Sequence, residues 1–141
     1  MLTLIVCNLQ ISIAKPLPEL NSLGQLIWEH RIIIINAKNN DSANIEKTIR
    51  DQKLEIDDRH ILWFIVSKQA EKIDIANNYL GKLNPSFHKE VLSYVNEGHK
   101  RVTLIGKDGG IKAQSNTLKL NDIFALIDTM PMRISEMNRS E

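Results

Sequence analysis

Cysteine is almost absent from this sequence. The 141 residues include one cysteine, Cys7, and none lies between Lys15 and Glu141. A polypeptide without cysteine forms no disulfide and performs no thiol chemistry. The long segment after Lys15 must therefore derive its stability from packing, and thiol-dependent catalysis is excluded for it.

Concentrated charge of one sign is also missing. The formal net charge is +1, no run of lysine and arginine is longer than two residues, and there is no acidic tail. Nucleic-acid-binding proteins usually carry a concentrated basic face, so we predict no nucleic-acid partner. Hydrophobic residues make up 43% and charged residues 25%, which is typical of a single globular domain.

One uncharged segment opens the chain. "MLTLIVCNLQISIA" (residues 1–14) is mostly apolar and ends in small residues before Lys15. It is shorter than the about 20 residues of a membrane-spanning helix, but it has the pattern of a secretory signal peptide. We predict a signal peptide over residues 1–14, a single domain over residues 15–141 without an integral membrane segment, and a periplasmic or secreted location. The alternative is a cytosolic domain whose first strand is "LTLIV".

Two apolar runs predict the centre of a sheet. "RIIIINA" (residues 31–37) and "HILWFIVS" (residues 60–67) are rich in β-branched residues and uninterrupted, as in strands that are buried on both faces. Residues 42–57 lie between them and have the amphipathic pattern of a helix. A strand, a helix and a strand in this order indicate a βαβ unit with parallel strands.

Two further helices are predicted in the second half. Residues 84–95 begin at an Asn-Pro boundary and carry an apolar stripe, and we expect this helix to end at Gly98. Residues 119–138 are also amphipathic, with Asn121 as the expected N-cap. Pro131 should end or kink this last helix, because proline has no N–H and excludes helical geometry in the residue before it.

Between these helices lies a hairpin signal. The segment "RVTLIGKDGGIKAQS" contains the turn sequence Lys107, Asp108, Gly109 and Gly110, and Asp-Gly favours a tight hairpin turn. The stretch lacks the Gly-Lys-Ser/Thr ending of a phosphate-binding loop, and strand rather than helix follows it. We therefore predict a surface turn flanked by Lys107 and Lys112.

The complete order is β-α-β-α-β-β-α, with residues 68–83 as a loop or a short edge segment. Two parallel strands and an antiparallel hairpin give a mixed central sheet with helices on both faces. This is the topology of the thioredoxin-like α/β fold.

Three segments carry a family resemblance. "LIWEHRIIIINA", "LIGKDGGIKAQS" and "ALIDTMPMRISEM" together resemble the P-DUDES family over residues 23–138. This is a thioredoxin-like family of bacterial exported proteins, with related domains in vertebrate sushi-repeat and coiled-coil-domain secreted proteins. The resemblance implies the thioredoxin-like fold and export, and it implies no particular activity.

The position of a thioredoxin redox site contains no thiol here. In thioredoxins a Cys-x-x-Cys pair follows the first buried strand, where the helix N-terminus stabilises a thiolate. The corresponding residues 38–43 contain no cysteine, and residues 97–100, just before the hairpin, contain no proline where thioredoxins place their cis-proline. We expect Asp41 or Ser42 to cap the helix at this junction.

Serine and histidine residues are also candidates for catalysis and metal binding. Ser42 would need an adjacent base to act as a nucleophile, and the nearest candidates, His30 and His60, precede strands at the opposite end of the predicted sheet. The histidines His30, His60, His88 and His99 are widely spaced and match no metal-ligand pattern. We predict no metal and no cofactor.

A charged group near the end of the chain is the candidate structural or binding cluster. Arg133 follows Pro131 closely and is flanked by Asp128 and Glu136. The planar fork of arginine suits fixed ion pairs or an anion site. The alternative is that the methionines beside Pro131 fill core gaps and the proline only ends a helix.

These observations favour an exported thioredoxin-like domain without redox cysteines, acting as a binding or accessory module for an unknown protein or small-molecule partner. The alternative is an enzyme that reuses the fold, as a peroxiredoxin-like protein or a non-thiol oxidoreductase, since fold alone does not decide function.

We expect residues 1–14 to be removed on export, because they form an uncharged apolar run that ends in small residues. N-terminal sequencing of the protein purified from its native host should begin at Lys15. Recovery of an intact Met1 terminus from the cytosol would contradict the prediction.

Overall fold

A mixed five-stranded sheet forms the centre of the protein. The computed structural model describes residues 15–38, 40–96 and 100–140, and the predicted signal peptide lies outside them. The strands are β1 (Arg31–Ala37), β2 (Ile61–Gln69), β3 (Lys72–Asn77), β4 (Val102–Ile105) and β5 (Ile111–Ser115). Their order is β3-β2-β1-β4-β5, with β1 and β2 parallel and the other neighbours antiparallel. The predicted mixed α/β sheet is confirmed, and it is compatible with a thioredoxin-like fold.

Helices surround this sheet. In the described residues they are α1 (Ser42–Arg50), α2 (Lys53–Asp58), α3 (Pro85–Ser93), α4 (Leu120–Asp128) and α5 (Pro131–Arg139), and a 3₁₀ turn (Leu23–Leu26) precedes β1. Across the described part of the chain, none of these helices combines the length and the apolar character that crossing a membrane requires.

Both faces of the sheet are covered, which explains the uninterrupted apolar run of β1. Ile33 and Ile35 pack with α1, α2 and α4 on one face. Ile32 and Ile34 pack with α3 and the 3₁₀ turn on the other. Since successive strand residues point to opposite faces, every position of the run faces a core.

Two predicted helices are each divided in two. The helix predicted over residues 42–57 is broken at Gln52, where the backbone leaves helical geometry with φ −106° and ψ 26°. The helix predicted over residues 119–138 ends at Asp128 and restarts at Pro131. Proline excludes helical geometry in Met130 but is favoured at the first position of a new helix.

Helix boundaries also differ from the prediction. The side chain of Asn84 accepts a hydrogen bond from the Ser86 backbone N–H and caps α3, as an Asn-Pro boundary favours. This helix ends at Ser93, earlier than expected. The N-cap of α4 is Lys119, so the predicted N-cap Asn121 is wrong.

The segment predicted as a loop or edge segment contains the edge strand β3. It pairs antiparallel with the second half of β2, from Phe64 opposite Asn77 to Gln69 opposite Lys72. None of its described residues is fully buried. An exposed edge strand lacks the continuous apolar pattern of a central strand, so its sequence gives only a weak signal.

Candidate functional site

Four cations lie buried at the end of the sheet where β1 and β2 begin and β4 ends. Arg31 opens β1, Arg59 precedes β2, Lys107 follows β4, and Arg133 lies on α5. Their exposed fractions are 1%, 8%, 7% and 5%. We call these four residues the basic cluster. Buried cations are costly unless they are paired, so their partners largely define this end of the molecule.

Glu136 bridges two members of the basic cluster. Its Oε2 lies 3.0 Å from Nη1 of Arg31, and its Oε1 lies 2.6 Å from Nζ of Lys107. Burial alone would raise the pKa of Glu136, but the hydrogen bonds from Lys107 and Arg31 outweigh it and hold that pKa below its ordinary value. The carboxylate is therefore charged at neutral pH and joins β1, the β4–β5 hairpin and α5.

Asp128 bridges the other two members. Its Oδ2 accepts a 2.7 Å hydrogen bond from Nη2 of Arg59, and its Oδ1 accepts a 3.0 Å bond from Nε of Arg133. Burial acts to raise the pKa of Asp128, whereas the bonds from the two arginines lower it, and the lowering prevails. Arg133 also donates to the carboxylate of Asp58 and, at 2.7 Å, to its carbonyl oxygen.

The structure divides the cluster predicted from the sequence. Arg133 and Asp128 are in contact, but Glu136 makes its ion pairs with Arg31 and Lys107 instead. The two bridges lie side by side at the same end of the sheet.

The hairpin turn is in the predicted place, but the position of Lys107 differs from the prediction. The turn lies where it was predicted, between β4 and β5, and Gly109 has the positive φ of 82° that glycine tolerates. Lys107 was expected at a surface turn, but it is buried against Glu136 and lies 2.8 Å from Nδ1 of His60. Lys112 keeps the expected surface position and pairs with Asp108 at 2.7 Å.

A cavity of about 300 Å³ adjoins the basic cluster. We call it the basic pocket, and its walls are Trp28, Arg31, residues 106–108, Lys112 and residues 130–132. The volume lies at the low end of the about 300–1,000 Å³ that is usual for ligand sites. Charged and apolar side chains thus meet around one small cavity.

Trp28 is the unusual residue of this pocket. Its side chain is 62% exposed, and its backbone has a positive φ of 70°. This conformation costs of the order of 1–3 kcal/mol in a residue other than glycine. A 2.6 Å hydrogen bond from its backbone N–H to the carbonyl oxygen of Lys107 holds it against the hairpin.

The surface is polar at the carboxyl ends of β1 and β2. We call this region the thioredoxin position, because the redox site of a thioredoxin would lie there. A cavity of about 360 Å³ there is lined by residues that include Asn40, Ser42, Glu46 and Gln69. Asp41 is the N-cap residue of α1, and Ser42 is the first helical residue. His30 and His60 precede β1 and β2, so they lie at the opposite end.

The histidines do not assemble a metal site in the described part of the chain, where no group of three or more His, Cys, Asp or Glu side chains could hold an ion. His60 contacts Lys107. His99 lies outside the described residues.

Comparison with known proteins places the chain in a family. The family is described as "Domain of unknown function (DUF4174)", its match spans residues 22–136, and the chain belongs to it. No curated protein and no solved structure matches the chain. The match covers the sheet and both carboxylate bridges, and the P-DUDES resemblance stays a prediction.

We expect Glu136 to be more important for stability than Arg133. Glu136→Gln leaves Arg31 and Lys107 buried without a countercharge, which should cost about 3–5 kcal/mol of the free energy of unfolding. Arg133→Met should cost about 1–3 kcal/mol of the same free energy. Asp128 would still be paired with Arg59, and the side chain of Asp58 is exposed to water. Urea melts at pH 7 measure both losses.

Asp51→Asn is the matched control for this comparison, because it breaks the exposed ion pair with Lys47 on α1. An exposed pair is worth about 0–1 kcal/mol. If Glu136→Gln cost no more than this control, the bridge would not be needed for stability.

Acid should weaken the two bridges. The folded-state pKa values of Glu136 and Asp128 are lowered, so these carboxylates stabilise the fold above their unfolded-state pKa of about 4. That stability is lost as pH falls through the lowered folded-state values. The urea midpoint of the wild type should therefore drop between about pH 5 and pH 3, and Glu136→Gln should drop less. Parallel pH profiles for the two proteins would contradict this assignment.

Proposed function

We propose that this chain is an exported binding module that acts without thiol chemistry and takes a small molecule in the basic pocket. The apolar segment of residues 1–14 supports export, and the absence of cysteine from Lys15 to Glu141 removes the thiol route. The polar surface at the thioredoxin position offers Ser42 without a histidine beside it in sequence. The basic pocket is therefore the better candidate for function.

Trp28 is the observation that carries this proposal. Tryptophan is a large apolar side chain, and folding normally buries most of it. Here it stays exposed at the edge of a cavity while its backbone is held in a strained conformation. Strained backbone that the surroundings maintain is typical of binding and catalytic sites.

The other walls of the pocket are held in place by hydrogen bonds and ion pairs, which supports a role in ligand binding. The hairpin beside Trp28 is held by a 2.8 Å bond from the Gly106 N–H to the Gly110 carbonyl oxygen. Glu136 fixes the buried ends of Arg31 and Lys107. A wall that is already fixed loses little conformational entropy when a ligand binds.

The test uses the two tryptophans as an internal comparison. Trp28 lines the basic pocket, whereas Trp63 is 2% exposed on β2. We expect 2-naphthoate or its neutral analogue 2-naphthylmethanol to shift the indole N–H signal of Trp28 in an NMR titration and to leave that of Trp63 in place. Planar apolar probes of this size suit a cavity beside an exposed indole.

Trp28→Ala should weaken binding of these probes, measured by isothermal titration calorimetry because this variant lacks the Trp28 signal. Leu80→Ala is the control, because Leu80 is an exposed apolar residue outside the basic pocket. The proposal fails if neither probe moves the Trp28 signal, or if both variants bind like the wild type.

A further inference from the structure

The charges around the basic pocket do not balance. Arg31, Lys107 and Lys112 place three cations at its wall. The carboxylates that pair with them are Glu136, which is shared by Arg31 and Lys107, and Asp108, which pairs with Lys112. Among the described residues, one positive charge is therefore left at the wall of the pocket.

The neighbouring ion pairs contain one more carboxylate than cations, but none of these residues lines the pocket. Arg59 and Arg133 share Asp128, and their further partners are Glu55 and Asp58, whose side chains are 53% and 64% exposed. Solvent and salt screen such exposed carboxylates, so they do little to neutralise the pocket.

Arg31 is the more deeply buried of the two cations that share Glu136. Its Nη1 donates to the Arg59 carbonyl oxygen at 2.9 Å and to Glu136 at 3.0 Å. Within the described residues, its Nε is buried and has no hydrogen-bond partner. Buried donors without a partner are rare in folded proteins, and a negative group in the adjoining cavity would compensate this one electrostatically.

The start of α5 adds to the positive potential. Met130 is its N-cap residue, and in the described structure no side chain caps this end. The N-terminus of a helix carries partial positive charge. Met130, Pro131 and Met132 line the same pocket as Arg31.

The remaining wall is apolar and partly aromatic. Trp28 shares the cavity with Met130, Pro131 and Met132. Indole rings stack on planar groups, and methionine sulfur makes favourable contacts with aromatic rings. This combination suits a flat apolar body.

We infer that the basic pocket binds a small planar apolar molecule that carries a single carboxylate. The inference rests on the proposed function and names the ligand class of that site. One negative charge matches the one excess positive charge, and the planar body lies against Trp28. A cationic ligand would be repelled, and a neutral one would leave the excess charge uncompensated.

The experiment compares two probes that differ in charge. Dissociation constants are measured for 2-naphthoate and 2-naphthylmethanol from the Trp28 indole shift. We expect the wild type to bind 2-naphthoate about tenfold more tightly than 2-naphthylmethanol, because hydrogen bonds to charged groups are stronger than those between neutral groups. Added NaCl should weaken carboxylate binding and leave alcohol binding unchanged.

Lys112→Met tests the charge without disturbing the buried cluster, since Lys112 is partly exposed. It should reduce the preference for the carboxylate at least about threefold, as expected for loss of one partly screened charge. Lys47→Met is the control, because Lys47 also belongs to an exposed i,i+4 pair but lies on α1. It should leave both affinities unchanged.

The outcomes separate the two proposals. Equal affinities for the two probes, or an unchanged preference in Lys112→Met, would overturn the ligand class while leaving a binding pocket at Trp28. If neither probe shifts Trp28, both the ligand class and the proposed function are overturned.

Discussion

The shared carboxylate of Glu136 is the interaction on which this end of the molecule depends. The buried residue that α5 contributes in the described structure is Arg133, a cation, so this helix is not held by an apolar face. It is held instead by charge: Glu136 reaches Arg31 on β1 and Lys107 on the hairpin. Without Glu136, two cations would remain buried in the main body of the fold, and that state is strongly unfavourable.

The sequence correctly predicted the strands whose side chains are buried in the core. The runs of β1 and β2 are buried on both faces, and their composition shows it directly. The hairpin turn was also visible, because Asp108-Gly109 is a local signal. The breaks within the long helices were harder to place. The apolar face continues across Gln52, and the Pro131 signal allowed either an end or a kink.

The ion pairs could not have been predicted in the same way. Arg31 and Glu136 are separated by 105 positions, and Arg59 and Asp128 by 69. No local pattern links such residues, so the sequence suggested neighbours of Arg133 and missed Arg31, Arg59 and Lys107. Only the order of the strands could have placed Lys107 near Arg31. Because β4 runs antiparallel to β1, a residue that follows β4 lies at the end of the sheet where β1 begins.

That topology also explains why the basic pocket lies opposite the thioredoxin position. Ligands of open α/β sheets usually bind beyond the carboxyl ends of the parallel strands. Here the antiparallel β4 carries its hairpin to the amino ends of β1 and β2, where Trp28 bonds to Lys107 and Glu136 closes the cluster. The contacts that hold α5 in place therefore also set the charge and the shape of the pocket. Stability and the charge of the pocket are coupled at Glu136, because loss of its carboxylate would both loosen α5 and make the pocket more positive.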